Sequence, residues 1–305
     1  MIDVALARDL FSAVPQAAIL ILVGDKDQLP SVGPGRVFAD LISIPEITTV
    51  SLTHLYRRQQ ESTITSIAHV VNSGALPLIP EPDGETRSDA YFIARAQPEE
   101  AATLIEKLVG DQIPKKFGLT WQQICVLTPS NRGPLGTLAL NNKLQQRLNP
   151  CRDPEQELSL NDLTLRLGDR VAQRVNNYNL DPAGVFNGDG GCIVSVDRSA
   201  RSLVVELWDG RLIKYEHEDL AQLSLAYAMS VHRSQGSEFP CVVLALHESH
   251  FTLLERQLIY TAITRAKKLL IIVGSRRALA LGCKRTNAKR RCTRLRERFQ
   301  ALCKN

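Results

Sequence analysis

Four short, almost wholly apolar runs constrain this chain more than any other feature: 18–23 (AILILV), 124–128 (ICVLT), 242–246 (VVLAL) and 269–273 (LLIIV). None alternates between apolar and polar, which is how strands read when both faces of a parallel sheet are covered. Between them, residues 62–72, 98–109, 134–148 and 253–266 fit helices, and residues 1–14 place Val4, Leu6, Leu10, Phe11 and Val14 at helical spacing. Strands alternating with helices predict an α/β fold around a parallel sheet. Ligands of such sheets gather outside the carboxyl ends of the strands, and the polar runs beginning at 24, 128 and 274 stand at such ends.

Residues 166–220 break the pattern. Short strand-like runs at 169–175, 192–197, 202–207 and 212–215 are separated by Asn187-Gly188, Asp189-Gly190-Gly191 and Asp209-Gly210. Asn-Gly and Asp-Gly are hairpin signals, so a small antiparallel barrel inserted in the α/β domain is expected. The stretch PLIPEPDGETRSD, with three prolines, is expected to be an exposed loop.

Composition excludes some classes. The longest apolar run, 17–23, is too short to span a bilayer, and no basic segment followed by an apolar core opens the chain. Seven cysteines occur without a C-x-x-C pair, which argues for a reducing cytoplasm and against a disulfide framework or zinc knuckle. No metal site is expected. The net charge of +5 is uneven: residues 276–305 carry eleven Lys/Arg and the single acid Glu297, about +10. Such a tail suits nucleic-acid phosphates or a solvated terminal helix equally well; Leu295, Phe299 and Leu302 also offer it a face to bury.

Three polar runs carry chemistry. In GDKDQLPSVGPG, Gln28 follows Gly24 and Asp25, and a neutral amide there can touch a terminal phosphate or an attacking water without adding charge. In HRSQGSEF, the cluster His232, Arg233, Ser234 and Gln235 ends at Gly236, which permits close backbone approach to a phosphate; Glu238 can accept from a ribose hydroxyl. In YTAITRAKK, Arg265 closes a helix and can act as a bidentate cation on a γ-phosphate. Arg57 and Arg58 in LYRRQQ offer a second such cation. No G-x-x-x-x-G-K-[ST] loop is present.

Taken together and in this order, GDKDQLPSVGPG, LTHLYRRQ, AYAMSVHRSQGSEFP and LIYTAITRAKK resemble motifs III, IV, V and VI of superfamily 1 helicases, specifically the RecD-like DNA helicases. The resemblance covers nearly the whole chain. It implies an ATP- and Mg²⁺-dependent motor moving 5′ to 3′ on single-stranded DNA and at single/double-strand junctions, in repair and recombination. It also implies two RecA-like P-loop NTPase domains, with an SH3-like barrel inserted in the second. The corresponding boundaries are 1–48 for a remnant of the first domain, 49–165 with 221–285 for the second, 166–220 for the barrel and 286–305 for a basic tail.

By position, the resemblance implies that Gln28 couples the γ-phosphate to DNA and that Arg57 and Arg265 contact that phosphate. Gly24, Asp25, Gly236 and Glu238 would line the nucleotide site. His232, Ser234 and the turn holding Thr128, Arg132 and Gly133 would face the DNA backbone. Arg233 stands where Lys is common. The family's Walker A lysine and its D-E-x-S acids fall outside these motifs. The chain alone is therefore expected to hydrolyse ATP negligibly and to need a missing N-terminal half or other recombination-complex subunits. Three other readings differ in class: a non-catalytic single-stranded-DNA-binding fragment or accessory subunit, the helicase part of a conjugative relaxase, and a nuclease. SEFP after HRSQG favours the RecD-like reading over the relaxase, and no clustered acids suggest a nuclease.

Overall fold

The computed structural model describes residues 2–52, 62–84, 87–160, 163–286 and 293–302. In chain order the described elements are α1 (Val4–Ala13), α2 (Val37–Leu41), α3 (Thr63–Asn72), β1 (Ala90–Ala94), α4 (Pro98–Lys107), α5 (Ile113–Phe117), β2 (Ile124–Thr128) and α6 (Thr137–Leu148). There follow β3 (Glu157–Leu160), β4 (Leu163–Arg166), β5 (Arg170–Gln173), β6 (Gly190–Asp197), β7 (Ser202–Leu207), β8 (Leu212–Tyr215) and β9 (Leu223–Leu225). The chain then returns to the first sheet with β10 (Ala228–Ser230), β11 (Phe239–Leu246), α7 (Arg256–Ile263), β12 (Ala266–Gly274), α8 (Arg276–Lys284) and α9 (Leu295–Leu302).

Five strands form the parallel RecA-like sheet, in the order β1-β12-β11-β2-β10. The apolar runs at 124, 242 and 269 are its three central strands, and period-two side-chain alternation between two covered faces explains why they are apolar up to Thr128 at the end of β2. Cys241, Val243 and Ala245 of β11 and Leu269, Ile271 and Val273 of β12 enter one core. Val242, Leu244, Leu246, Leu270 and Ile272 enter the other. The first core takes α4, α6 and the inner face of the second sheet; the other takes α3, α7 and α8. Helix ends follow local chemistry: Ser62 caps α3 through the Thr65 N–H and Ser275 caps α8 through the Ala278 N–H.

The second sheet is antiparallel, in the order β8-β7-β6-β5-β9, and is the expected SH3-like insertion. Its closing strand β9 runs to Leu225, and a separate hairpin, β3–β4, precedes it. Buried polar groups root it to the first sheet. Asp169 accepts from Gln145 of α6 and from Asn149, which caps that helix, from the Tyr227 hydroxyl and from the Arg166 main chain. Arg170 donates to the Ile124 carbonyl and stacks 5.5 Å from the Trp208 ring and 5.6 Å from the Phe239 ring.

The expected strand at 18–23 does not form. The segment is extended and exposed, with Ile19 and Val23 each 91% accessible. A strand needs a neighbour to accept its main-chain hydrogen bonds, and the five strands of the parallel sheet all lie after residue 89. For the same reason only Ala7 of α1 is buried, and Leu6 on its apolar stripe is 55% accessible. Two strands lie outside the expected ones: β1, the apolar run AYFIA at the end of the proline-rich loop, and the three-residue β10. The helix expected at 134–148 starts at Thr137, because Pro134 and Gly136 shape the preceding turn.

Candidate functional site

The C-terminal half of α7 and the turn that follows it build one side of the site. Tyr260, Thr261, Thr264 and Arg265 recur three and four residues apart and so share a stripe. Residues 25–30 lie against that stripe. Thr261, fully buried, accepts the Leu29 N–H on its hydroxyl at 2.8 Å. The Tyr260 hydroxyl donates to Asp25 Oδ2 at 3.1 Å, and Gln28 Nε2 donates to the same oxygen at 3.1 Å. Arg265 Nη2 then donates to Gln28 Oε1 at 2.9 Å, across 237 residues of sequence. Burial and the Asp25 carboxylate hold the Tyr260 hydroxyl well above its ordinary value, pushed up to about 12, so it remains a donor.

Arg265 is 6% accessible. Its guanidinium also donates to Thr261 O, Ser237 O and Thr264 Oγ1 at 3.0–3.2 Å. These acceptors are neutral, so the group keeps its charge. Burial pulls its pKa below the ordinary value, opposed by Glu238, Asp25 and Tyr260, but an arginine remains protonated at neutral pH. A buried cation bonded to neutral oxygens, beside an amide that can turn, fits a terminal phosphate. Among the described residues no group of three His, Cys, Asp or Glu is placed to hold a metal ion.

Arg265 immediately precedes β12, so this contact lies at the amino end of the central strands rather than the expected carboxyl end. No strand precedes Gly24; its α-carbon instead faces the Phe38 ring, which an added Cβ would meet at 3.1 Å. Gly236 is exposed with φ +83°, a conformation that favours glycine and leaves its backbone open. Glu238, expected at a ribose, is ion-paired with Lys267 at 2.8 Å. Arg57 lies outside the described residues.

The second cluster does sit at carboxyl strand ends. Thr128 of β2 pairs with Ser230 of β10, and the Val231 N–H donates to Thr128 O. The turns holding Arg132 and His232 therefore leave the sheet side by side. Arg132 and Gly133 are exposed, the latter with φ +84°. Thr128 and Ser234, expected to face a DNA backbone, are fully buried instead. Their hydroxyls donate to Leu135 O at 2.6 Å and Val231 O at 2.8 Å, because a hydroxyl left buried without a partner is costly. They shape the turns that present Arg132 and His232. His232 is partly buried, and that burial lowers its pKa, so it is neutral at pH 7.

The sequence motifs gave no separate role to Thr261 and Tyr260. Their signal was the i, i+4 pairing of Thr261 with Arg265, legible only once α7 and its partner segment are known. Gln235 donates to Leu29 O at 2.6 Å, which ties the second cluster to the first.

Three family models match the chain: an AAA domain over residues 1–81, an ATP-dependent RecD-like DNA helicase SH3 domain over 140–207 and a UvrD-like helicase C-terminal domain over 225–273. The chain is 35% identical over 301 residues to the ATP-dependent RecD2 DNA helicase of Deinococcus radiodurans, covering 99% of this chain and 39% of that protein. It is 28% identical over 294 residues to the RecBCD enzyme subunit RecD of Mycobacterium tuberculosis, covering 90% of this chain and 48% of that one. The chain thus spans less than half the length of these relatives. A crystal structure of Pif1 helicase from Bacteroides in complex with ADP-AlF3 and ssDNA is also similar. That match has 17% identity and a TM-score of 0.46, over 84% of this chain and 56% of the other.

Proposed function

Because the chain belongs to the RecD-like superfamily 1 DNA helicases, we propose that it forms the phosphate-sensing and strand-gripping part of an ATP-driven motor moving 5′ to 3′ on single-stranded DNA. The observation that carries this reading is the 2.9 Å contact of buried Arg265 with Gln28. The guanidinium is held ready by three further neutral acceptors. An incoming terminal phosphate replaces the Gln28 oxygen as its partner, and the freed amide can then donate to that phosphate. The electrostatic gain is large because the site is partly desolvated. ATP supplies the phosphoryl group when bound; the residues of this chain orient and neutralise its terminal oxygens.

Single-stranded DNA lies along the paired turns, with Arg132 on its phosphates and His232 as an uncharged contact. The exposed aromatic rings of Tyr178 and Trp208 at the barrel surface suit base stacking. The exposed strand-like run 18–23 and the uncovered face of α1 accept further strands of a RecA-like domain that brings the phosphate loop and the Mg²⁺ ligands. These 305 residues alone then bind oligonucleotide in a salt-sensitive way and hydrolyse ATP negligibly.

The test is an ATPase assay on the chain with saturating oligo(dT), run beside salt titrations of oligonucleotide binding. A DNA-stimulated rate matching that of a complete helicase would refute the division of labour. The alternative, a non-catalytic DNA-binding or accessory chain, is favoured if an ATP analogue leaves oligonucleotide affinity unchanged even after a phosphate-loop domain is supplied.

A further inference from the structure

The turn between β10 and β11 is a compact unit. Arg233 and Ser234 N–H groups both donate to Ser230 O, Ser237 N–H donates to Ser234 O, and the buried Ser234 hydroxyl closes on Val231 O. Two side chains leave it in different directions. Arg233 reaches the barrel: its Nη2 donates to Gln173 O at 2.9 Å and its Nη1 to Ser224 Oγ at 3.2 Å. Those acceptors stand on the adjacent strands β5 and β9. Gln235 reaches the other way, donating to Leu29 O at 2.6 Å and towards Pro30 O at 3.5 Å. Leu29 follows Gln28 directly and is pinned through its N–H to Thr261.

We infer that this turn is a mechanical joint between the barrel and the Gln28 segment, with Arg233 and Gln235 as its two positioning residues. A shift of the barrel pulls on Arg233, the internally bonded turn moves as one piece, and Gln235 carries the movement to Leu29 and so to the Gln28–Arg265 contact. The planar guanidinium is what allows one side chain to hold two strands at once; a lysine at 233 offers a single point charge and cannot grip both acceptors in that geometry. The coupling is reciprocal, so a change at Gln28 must also be felt at the barrel. The role given to the joint rests on the function proposed above; the joint itself does not.

Amide hydrogen exchange on the whole chain tests it without any ligand. The Leu29 amide, bonded to Thr261 Oγ1, reports the Gln28 segment. The Arg174 amide, bonded to Gln222 O, reports the barrel, and the Val243 amide of β11 reports global opening. Gln235→Ala should speed Leu29 exchange about fivefold, the scale of one neutral hydrogen bond, and, because the coupling is reciprocal, speed Arg174 by a smaller factor. Arg233→Lys should speed both Arg174 and Leu29, with Val243 unchanged. In the double variant the Arg233→Lys effect on Leu29 should vanish while its effect on Arg174 persists, since the arm that conveys it is gone.

Effects on Leu29 that multiply, or an Arg233→Lys variant whose Leu29 amide is unaltered, would overturn the joint. So would a Leu29 amide unprotected in the parent chain. Should Arg233→Lys perturb Val243, Ser224→Ala replaces it; that variant removes the Nη1 acceptor together with the Ser224 hydroxyl's bond to Ala172 O, leaves Nη2 on Gln173 O, and must shift Leu29 in the same direction. Failure of oligonucleotide binding would count against the proposed function and leave this cycle intact, so the two failures are separable.

Discussion

Replacing Asp169 with Asn sets two physical effects against each other. The carboxylate is fully buried at the root of the barrel. Its Oδ2 accepts from Gln145 Nε2 at 2.6 Å and the Arg166 N–H at 2.7 Å; its Oδ1 accepts from Asn149 Nδ2 at 2.8 Å and the Tyr227 hydroxyl at 2.8 Å. Burial lifts its pKa above the usual carboxylate range, while the four donors act in the opposite sense. Asn places an NH₂ where one oxygen was, so two of the four donors face a donor.

If Oδ1 is replaced, the Tyr227 hydroxyl can turn and accept, and Asn149 keeps its bond to Leu167 O. If Oδ2 is replaced, Gln145 keeps Thr164 O but the Arg166 N–H is left buried without that acceptor. Hydrogen bonds to a charged group are each worth about 1.5–3 kcal/mol, and the variant recovers part of the cost of burying the charge. The net expectation is a loss of about 2–3 kcal/mol. Tyr227→Phe removes one donor and should cost about 1 kcal/mol. Urea unfolding is read by the two tryptophans: Trp121 packs on Tyr227 at 5.5 Å, and Trp208 lies beside Arg170 at 5.5 Å. A midpoint unchanged or raised in Asp169→Asn would show that desolvation outweighs the four donors and would refute the reasoning.

Three more outcomes follow from local geometry. Burial, and next to it His247, lowers the His250 pKa from 6.5 to about 4, and its Nδ1 has no hydrogen-bond partner among the described residues. The unfolded chain then binds the proton first, so stability should fall by up to about 3 kcal/mol as pH drops from 6.5 towards 4. His250→Leu should flatten that acid limb in thermal-melt profiles. Gly274 has φ +142° and an added Cβ would lie 1.9 Å from Leu246 O; Gly274→Ala should cost about 3–4 kcal/mol in urea unfolding, and a neutral outcome would contradict the strand packing. Arg132→Ala should reduce the slope of log affinity against log salt for oligo(dT) by about 0.7, the value of one phosphate contact on a single strand; an unaltered slope would remove Arg132 from the DNA path.

Local pattern was enough for the class of fold. The runs at 124, 242 and 269 read as buried strands because covering both faces demands apolar residues at every position, and they are the centre of the parallel sheet. Gly-containing turns likewise marked the antiparallel insertion, since φ is positive at Gly188 and Gly210. The same reasoning misjudged 18–23. An apolar run states that a segment would be buried in a sheet, whereas pairing requires neighbours, and the described structure supplies none there.

The residue types of the site were also legible: a Gln, an Arg and a Gly-bearing turn, in an order shared with a helicase family. Their arrangement was not. That Arg265 meets Gln28 rather than solvent depends on α7 placing Thr261 one turn earlier against Leu29. That Thr128 and Ser234 point inward depends on carbonyls at Leu135 and Val231. Hydrogen-bond partners distant in sequence are selected by packing, because a buried donor must find whichever acceptor the fold brings near. Sequence by itself determined which segments could be strands, where the chain could turn and which side chains could meet a phosphate. Only the tertiary structure decided which of them face one another, and so made one turn the link between the barrel and Gln28.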